Sequence, residues 1–332
     1  MGFDQIIGHE RPIKMARAML ARGRLPHALL ITGPAGVGKH TFALALAQAV
    51  NCERPEAGEA CGTCPACDKI KRGVHPDVVE IEPEGRSQVI KVERVRELRG
   101  QVSFRPFEGR TKVFLVREAQ KMNETSANAL LKTLEEPPPA SLIILTAPEE
   151  ADLLPTVVSR CLRLGLAPLP GELIEGWLER ERGLTGVKAR LLASLSGGCL
   201  GRVAELETRD IWELRRKTLE RLKQFDSGGY LAALDWAEIL TGSEDERDLT
   251  FDMLRFWYRD LMILACHGDT RRVVNSDLWD ELNNRLKGNR GPERFLNALK
   301  EIDKAEDALS RMARPELVME NLMLNLFEIQ EG

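Results

Sequence analysis

The sequence predicts an α/β fold: a phosphate-binding-loop domain with a parallel sheet in the first half and a wholly helical second half. Three observations carry this. A five-residue apolar run, Ala28–Thr32, leads straight into Gly33-Pro34-Ala35-Gly36-Val37-Gly38-Lys39, and Phe42, Ala43, Leu46 and Ala49 then recur at helical spacing. Strand, glycine loop and helix is the order a phosphate loop needs. Further short apolar runs alternate with helical patterns to about residue 166, which implies parallel strands covered by helices on both faces. Beyond Ala167-Pro168-Leu169-Pro170-Gly171 the strand pattern does not return.

In chain order, Phe3, Ile6, Ile7 and Gly8 form an apolar lead-in that reads as core, followed by a helix from about Arg11 to Leu20. The loop comes next. Its glycines let backbone N–H groups converge on a polyphosphate, the helix N-terminus adds partial positive charge, and Lys39 adds a point charge. The residue after the lysine is ordinarily Ser or Thr, whose hydroxyl reaches Mg²⁺. Here it is His40, with Thr41 one place late. Imidazole is a poor ligand for a hard, oxygen-seeking cation.

Cys52, Cys61, Cys64 and Cys67 follow, spaced C-x8-C-x2-C-x2-C, with Gly58, Gly62 and Pro65 supplying turns. Four thiolates so close together can close a tetrahedral zinc site without long-range folding. Nothing beside them offers an open ligand position or a general base, so the expected role is structural. A set of seven cysteines in a chain with no signal-peptide pattern argues against a disulfide framework and for a reducing cytoplasm.

Val78–Ile81 is the next expected strand, then an amphipathic helix over 89–101 with Val92, Val95 and Leu98 on one face, then a strand from Lys112 to Val116. In phosphate-loop ATPases the acidic pair ending this strand holds Mg²⁺ and polarises the attacking water. This chain has Arg117-Glu118, a cation where the metal-binding carboxylate belongs. Asn123 caps a helix running to about Glu135, stopped by Pro137-Pro138-Pro139. Ser141–Thr146 is another buried strand, and Ser159-Arg160-Cys161 precedes Leu162-Arg163-Leu164.

Residues 172–207 read as short helices broken at Ser196-Gly197-Gly198-Cys199-Leu200-Gly201, with Arg202 just after. From about Arg209 the chain is helical throughout, over 210–224, 229–241, 246–267 and on to about 330, punctuated by Gly228-Gly229, Gly242 and Asn289-Arg290-Gly291-Pro292. The last helix, roughly 315–328, is nearly apolar all round. That pattern fits core packing and an oligomer contact equally.

At 332 residues, 43% hydrophobic and 30% charged, the chain is an ordinary globular protein of two or three domains. Its net charge of −4 supplies no general field for nucleic acid, so such contacts are expected to be local or made through partners. No apolar run approaches a membrane span.

Together these motifs carry a resemblance. The phosphate loop, the four-cysteine insertion, the altered acidic strand end, Asn128-Ala129-Leu130-Leu131-Lys132-Thr133-Leu134-Glu135-Glu136-Pro137, Ser159-Arg160-Cys161, Gly201-Arg202 and the helical last third resemble a bacterial DNA polymerase III clamp-loader subunit, an AAA+ protein, over nearly the whole chain. Lys39-His40 and Arg117-Glu118 liken it to the delta-prime type, because gamma/tau motor subunits keep Gly-Lys-Thr and Asp-Glu. The resemblance implies an AAA+ P-loop domain with a parallel sheet and zinc module over 1–166, a small helical lid over 167–208, and an all-α collar that assembles with partner subunits over 209–332. It implies a subunit of a DNA polymerase holoenzyme, a nucleotidyltransferase whose polymerisation is carried by a partner, that contributes to opening and loading a sliding clamp on primed DNA.

The partners it implies are gamma/tau and delta subunits in a hetero-oligomeric ring, with clamp and primed DNA met through the complex. ATP or ADP would lie on Gly33, Gly36, Gly38, Lys39, His40, Thr41 and Arg202, with the two substitutions counting against Mg²⁺. Zn²⁺ would be held by Cys52, Cys61, Cys64 and Cys67. Arg160 would act in trans as a finger on a neighbour's ATP, as a guanidinium neutralises charge on a transferring phosphoryl group. Two readings stand against this one. Steady ATP hydrolysis would mark a gamma/tau-type motor, and partner-free DNA binding a free-standing zinc-containing regulator.

Overall fold

The computed structural model describes residues 2–331 except 86, 103, 268, 269 and 288–290. The turn signal at Asn289-Arg290 thus lies outside the described residues. In chain order the elements of the first half are α1 (Glu10–Ala21), β1 (Ala28–Thr32), α2 (Lys39–Asn51), α3 (Pro65–Lys71), β2 (Val78–Ile81), α4 (Val92–Val102), β3 (Lys112–Val116), α5 (Glu124–Glu135), β4 (Ser141–Ala147), α6 (Pro155–Val158) and β5 (Leu162–Gly165). Then come α7 (Gly171–Arg182), α8 (Val187–Leu195), α9 (Leu200–Glu207), α10 (Ile211–Thr241), α11 (Glu244–Ala265), α12 (Trp279–Leu286), α13 (Pro292–Ser310) and α14 (Pro315–Glu331). The chain divides into two compact units, Met1–Ile174 with Gly197–Arg202, and Glu175–Ser196 with Val203–Gly332.

The first unit is built on a five-stranded parallel sheet in the order β2-β3-β4-β1-β5. β1 lies between β4 and β5, with Leu29 opposite both Ile144 and Leu162. Leu29, Leu30 and Ile31 are fully buried, so both faces of this strand are covered, which is why it reads as an unbroken apolar run. One face carries Phe3, Phe42 and Leu46, the other Leu30, Phe114 and Leu130. Of the apolar lead-in, Phe3 is core, its ring meeting that of Phe42 at 5.3 Å between centroids, whereas Ile6 and Ile7 are only half-buried. Chain order jumps across β1 between β4 and β5, and at such switch points the carboxyl ends of the strands open a crevice.

The fourth helix starts at Val92, not near 89, because Ile90 N–H is taken by the Lys121 carbonyl (3.0 Å). Asn123 caps α5 as expected, its Oδ1 accepting from Ser126 N–H at 2.8 Å. Buried Asp77 brackets the return to β3. Its carboxylate accepts from the backbone N–H groups of Phe107 (2.6 Å), Glu108 (2.8 Å) and Gly109 (2.7 Å). Burial pushes this carboxyl up, but the three donors outweigh it and hold it below its ordinary range. A folded value below the unfolded one contributes stability above the ordinary aspartate pKa and loses it as pH falls through the lowered value. Asp77→Asn should therefore lower the urea midpoint at neutral pH, by about 1–3 kcal/mol equivalent for an N–H left unpaired. The gap to wild type should narrow in acid, and a constant gap at all pH would argue that packing is the cause.

Among the described residues the second unit contains helices and no strand. α10 packs on α14, and α11 on α13, around Trp236, Phe251, Leu254, Trp257 and Leu326. α10 breaks at Gly229, whose φ of 58° belongs to the left-handed region and lets two helices meet where the sequence placed a gap. Met319, Leu322, Met323, Leu326 and Phe327 of α14 are buried within this unit, while Leu317 is exposed. Core packing accounts for most of that helix's apolar surface.

Candidate nucleotide site, metal cluster and arginine

Three groups of expected site residues come together, each in the first unit. The first surrounds the glycine loop between β1 and α2. Gly33 has φ 146°, and a Cβ there would stand 2.3 Å from the Leu166 carbonyl oxygen, so only glycine fits. Gly36 meets Gly201 backbone to backbone. Gly201 N–H donates to the Gly36 carbonyl at 2.9 Å, and a Cβ on Gly201 would be 2.7 Å from Gly36 Cα. That contact sets the start of α9, and with it Arg202, against the loop. His9, itself left-handed at φ 57°, donates from Nε2 to the Val37 carbonyl at 3.0 Å and braces the loop from behind.

A cavity of about 360 Å³ opens at the carboxyl ends of the strands, lined among others by Gly36, Lys39, His40, Thr41, Arg117 and Glu118. Lys39 Nζ donates to the loop's own carbonyls, to Pro34 O at 2.8 Å and also to Gly33 O. Burial pushes its pKa down, against the opposing pull of Cys199 and Glu118. His40 Nε2 donates to Glu80 Oε2 at 2.9 Å, and this bond holds Glu80 below the ordinary carboxylate range. Arg117 Nη1 donates to Glu82 Oε2 at 2.8 Å. Both residues standing where Mg²⁺ ligands would be are thus occupied by carboxylates of β2 and the turn after it. Glu118 sits in the left-handed region at φ 49°, with its N–H on Thr146 Oγ1 at 3.1 Å. The partners Glu80, Glu82, Thr146 and His9 have no motif in the sequence.

The second group is the cysteine cluster. The Sγ atoms of Cys52, Cys61, Cys64 and Cys67 all lie within 4.8 Å of one another. Zinc–sulfur bonds of about 2.3 Å at tetrahedral angles put sulfurs about 3.8 Å apart, so the donor set fits such an ion. Backbone N–H groups point at the sulfurs, Cys61 N–H to Cys52 Sγ at 3.2 Å and Cys64 N–H to Cys61 Sγ at 3.3 Å. The donors around Cys61 push its thiol down to about 5, a thiolate at neutral pH, whereas burial pushes Cys52 and Cys67 up. A bound cation reverses that burial cost by deprotonating its ligands outright. The module is fastened to the rest: Gln48 Nε2 of α2 donates to Cys67 O at 2.9 Å, and Arg17 of α1 pairs with Glu59.

The third group is Arg160, at the turn between α6 and β5. Its Nη2 pairs with Glu135 Oε1 at 2.6 Å, and Nη1 donates to Thr156 O at 2.9 Å and to Ser159 Oγ at 3.3 Å. The side chain is 35% exposed. Glu135 ends α5 within the Leu134-Glu135-Glu136-Pro137 stretch, so the two most specific sequence motifs meet at this ion pair. Arg160 is not among the residues lining the cavity on the glycine loop. Among the described residues, no helix is long and apolar enough to cross a membrane.

A family model described as DNA polymerase III, delta subunit, matches residues 8–170. The DNA polymerase III subunit delta' of Escherichia coli strain K12 is 31% identical over 313 residues, which cover 92% of this chain and 90% of that protein. The delta' subunit of Pseudomonas aeruginosa is 38% identical over 205 residues, covering 61% of this chain and 62% of that protein's length. The tau subunit of Escherichia coli is 38% identical over 177 residues, covering 53% of this chain but only 27% of tau.

Proposed function

Because the chain belongs to the DNA polymerase III delta-prime subunit family, we propose that it is a largely rigid member of the clamp loader, serving its neighbours' ATP sites while hydrolysing little or no ATP itself. It would assemble with gamma/tau and delta subunits, and through that ring contribute to opening the sliding clamp and placing it on primed DNA. An AAA+ module over 1–166, a lid over 167–208 and a collar over 209–332 is the division this role calls for. Zn²⁺ on Cys52, Cys61, Cys64 and Cys67 would hold the module's shape, and Lys39 with the loop glycines would hold nucleotide.

One observation carries the absence of turnover. His40 and Arg117 replace two oxygen ligands of the ordinary Mg²⁺ site, and both are tied to carboxylates, at 2.9 Å and 2.8 Å. Phosphoryl transfer in phosphate-loop enzymes relies on the metal bridging the β- and γ-phosphates. The purified chain should therefore hydrolyse ATP at background, with or without Mg²⁺, in a steady-state phosphate-release assay. A magnesium-dependent turnover abolished by Lys39→Ala would instead favour the motor reading.

A further inference from the structure

We infer that the cavity on the glycine loop takes a nucleoside di- or triphosphate without a divalent cation, its own cations standing in for the metal. The inference rests on the reading of this loop as a nucleotide holder and deepens it. A polyphosphate in a phosphate loop has its negative charge balanced by the lysine, the helix N-terminus and Mg²⁺. Here the third of these has lost its ligands and been replaced by charge of the same sign. Arg117 and Lys39 both line the cavity, and Glu118 is the single carboxylate among its residues.

The two substitutions also take away oxygen ligands that a hard cation would need. His40 occupies the first turn of α2 where a hydroxyl would reach the ion, and its Nε2 is spent on Glu80. Glu80 and Glu82 are each tied to one of the two replacements, Glu80 by a hydrogen bond from His40 and Glu82 by an ion pair with Arg117. Arg117 is nevertheless available to a ligand. Its pairing with Glu82 is on the surface, the two side chains 34% and 55% exposed, and exposed ion pairs are cheap to exchange. A guanidinium presents a planar fork that spans two phosphate oxygens, so moving from Glu82 to a phosphate replaces one charged partner by a better-matched one. Lys39 likewise exchanges two neutral carbonyls of its own loop for an anion.

The test is equilibrium binding of ADP and of ATP to the full chain by calorimetry, in magnesium and in EDTA. The wild-type dissociation constants should agree within about threefold between the two conditions, well under the tenfold step that 1.4 kcal/mol represents. Arg117→Ala should weaken binding in EDTA about tenfold, the size of one charge-assisted hydrogen bond. Restoring the oxygens with His40→Thr and Arg117→Asp together should make affinity depend on magnesium. Wild-type binding seen only with magnesium would overturn the inference and leave the loop a nucleotide site. No binding in either condition would overturn the nucleotide reading itself. A double variant still indifferent to magnesium would show that these two residues do not set the metal requirement.

Discussion

Replacing Cys64 by serine should strip the chain of zinc and destabilise its first unit, whereas Cys266→Ser should do neither. Protein purified without added metal should carry close to one equivalent, as a closed four-thiolate site implies. The serine variant should carry almost none, because a hydroxyl in place of a buried thiolate would leave three ligands for an ion proposed to be held by four. Cys64 is 1% exposed and Cys266 is on the surface, so the pair separates a site effect from a general effect of removing a thiol. Structural zinc contributes about 10–16 kcal/mol of apparent binding free energy in zinc-finger peptides. Only part of that would appear here, since the sheet has a core of its own. Yet Gln48 ties Cys67 directly to α2, so loosening the module loosens the helix that carries Lys39. A loss of about 2 kcal/mol would lower the melting temperature of a unit this size by about 4–8 °C. Metal analysis and thermal unfolding measure both effects, and an unmodified chain that is fully stable with no metal would refute the assignment.

How far these features were legible in the sequence depends on the range over which each is encoded. β1, β3 and β4 announce themselves because both faces are covered, so Leu29, Leu30, Ile31, Val113, Phe114, Leu142 and Ile143 form continuous apolar runs. Asn123 marks α5 because its cap is a local hydrogen bond, three residues to Ser126. The cysteine cluster is local too, closed by C-x2-C steps. Strand order was not legible, since nothing in a five-residue apolar run names its neighbour. Nor were the pairs His40 with Glu80 and Arg160 with Glu135, separated by 40 and 25 residues and joined only when the sheet and its helices assemble. His9 is a lone histidine in sequence. Only the fold turns it against Val37, where it supports a loop that the glycines alone would leave loose.

That pairing of Arg160 sets the second large expectation. Arg160→Ala should leave the chain folded and able to assemble, while the reconstituted loader loses a part of its clamp- and DNA-stimulated ATPase. Within this chain the arginine's partners are Glu135 and two groups of its own turn, and its side chain is one-third exposed, so truncation removes a surface pair of small worth to stability. If Arg160 serves a neighbour's ATP as proposed, the effect there should be of another order. A finger supplied in trans accelerates the site it serves by about 10³–10⁵ in well-studied GTPases, because it meets charge that develops only in the transition state. The whole ring should lose less, since its other sites keep their own fingers. Arg160→Lys should restore little, as an ammonium cannot span two phosphate oxygens. Glu135→Gln is the informative companion. If Glu135 holds the guanidinium in readiness, its loss should lower stimulated turnover by no more than Arg160→Ala does, and because it acts only through Arg160 the double variant should be no worse than Arg160→Ala alone. Steady-state ATPase of the loader carrying each variant, with assembly checked by gel filtration, decides the matter: unchanged stimulated turnover in a fully assembled Arg160→Ala ring would return this arginine to a purely structural role.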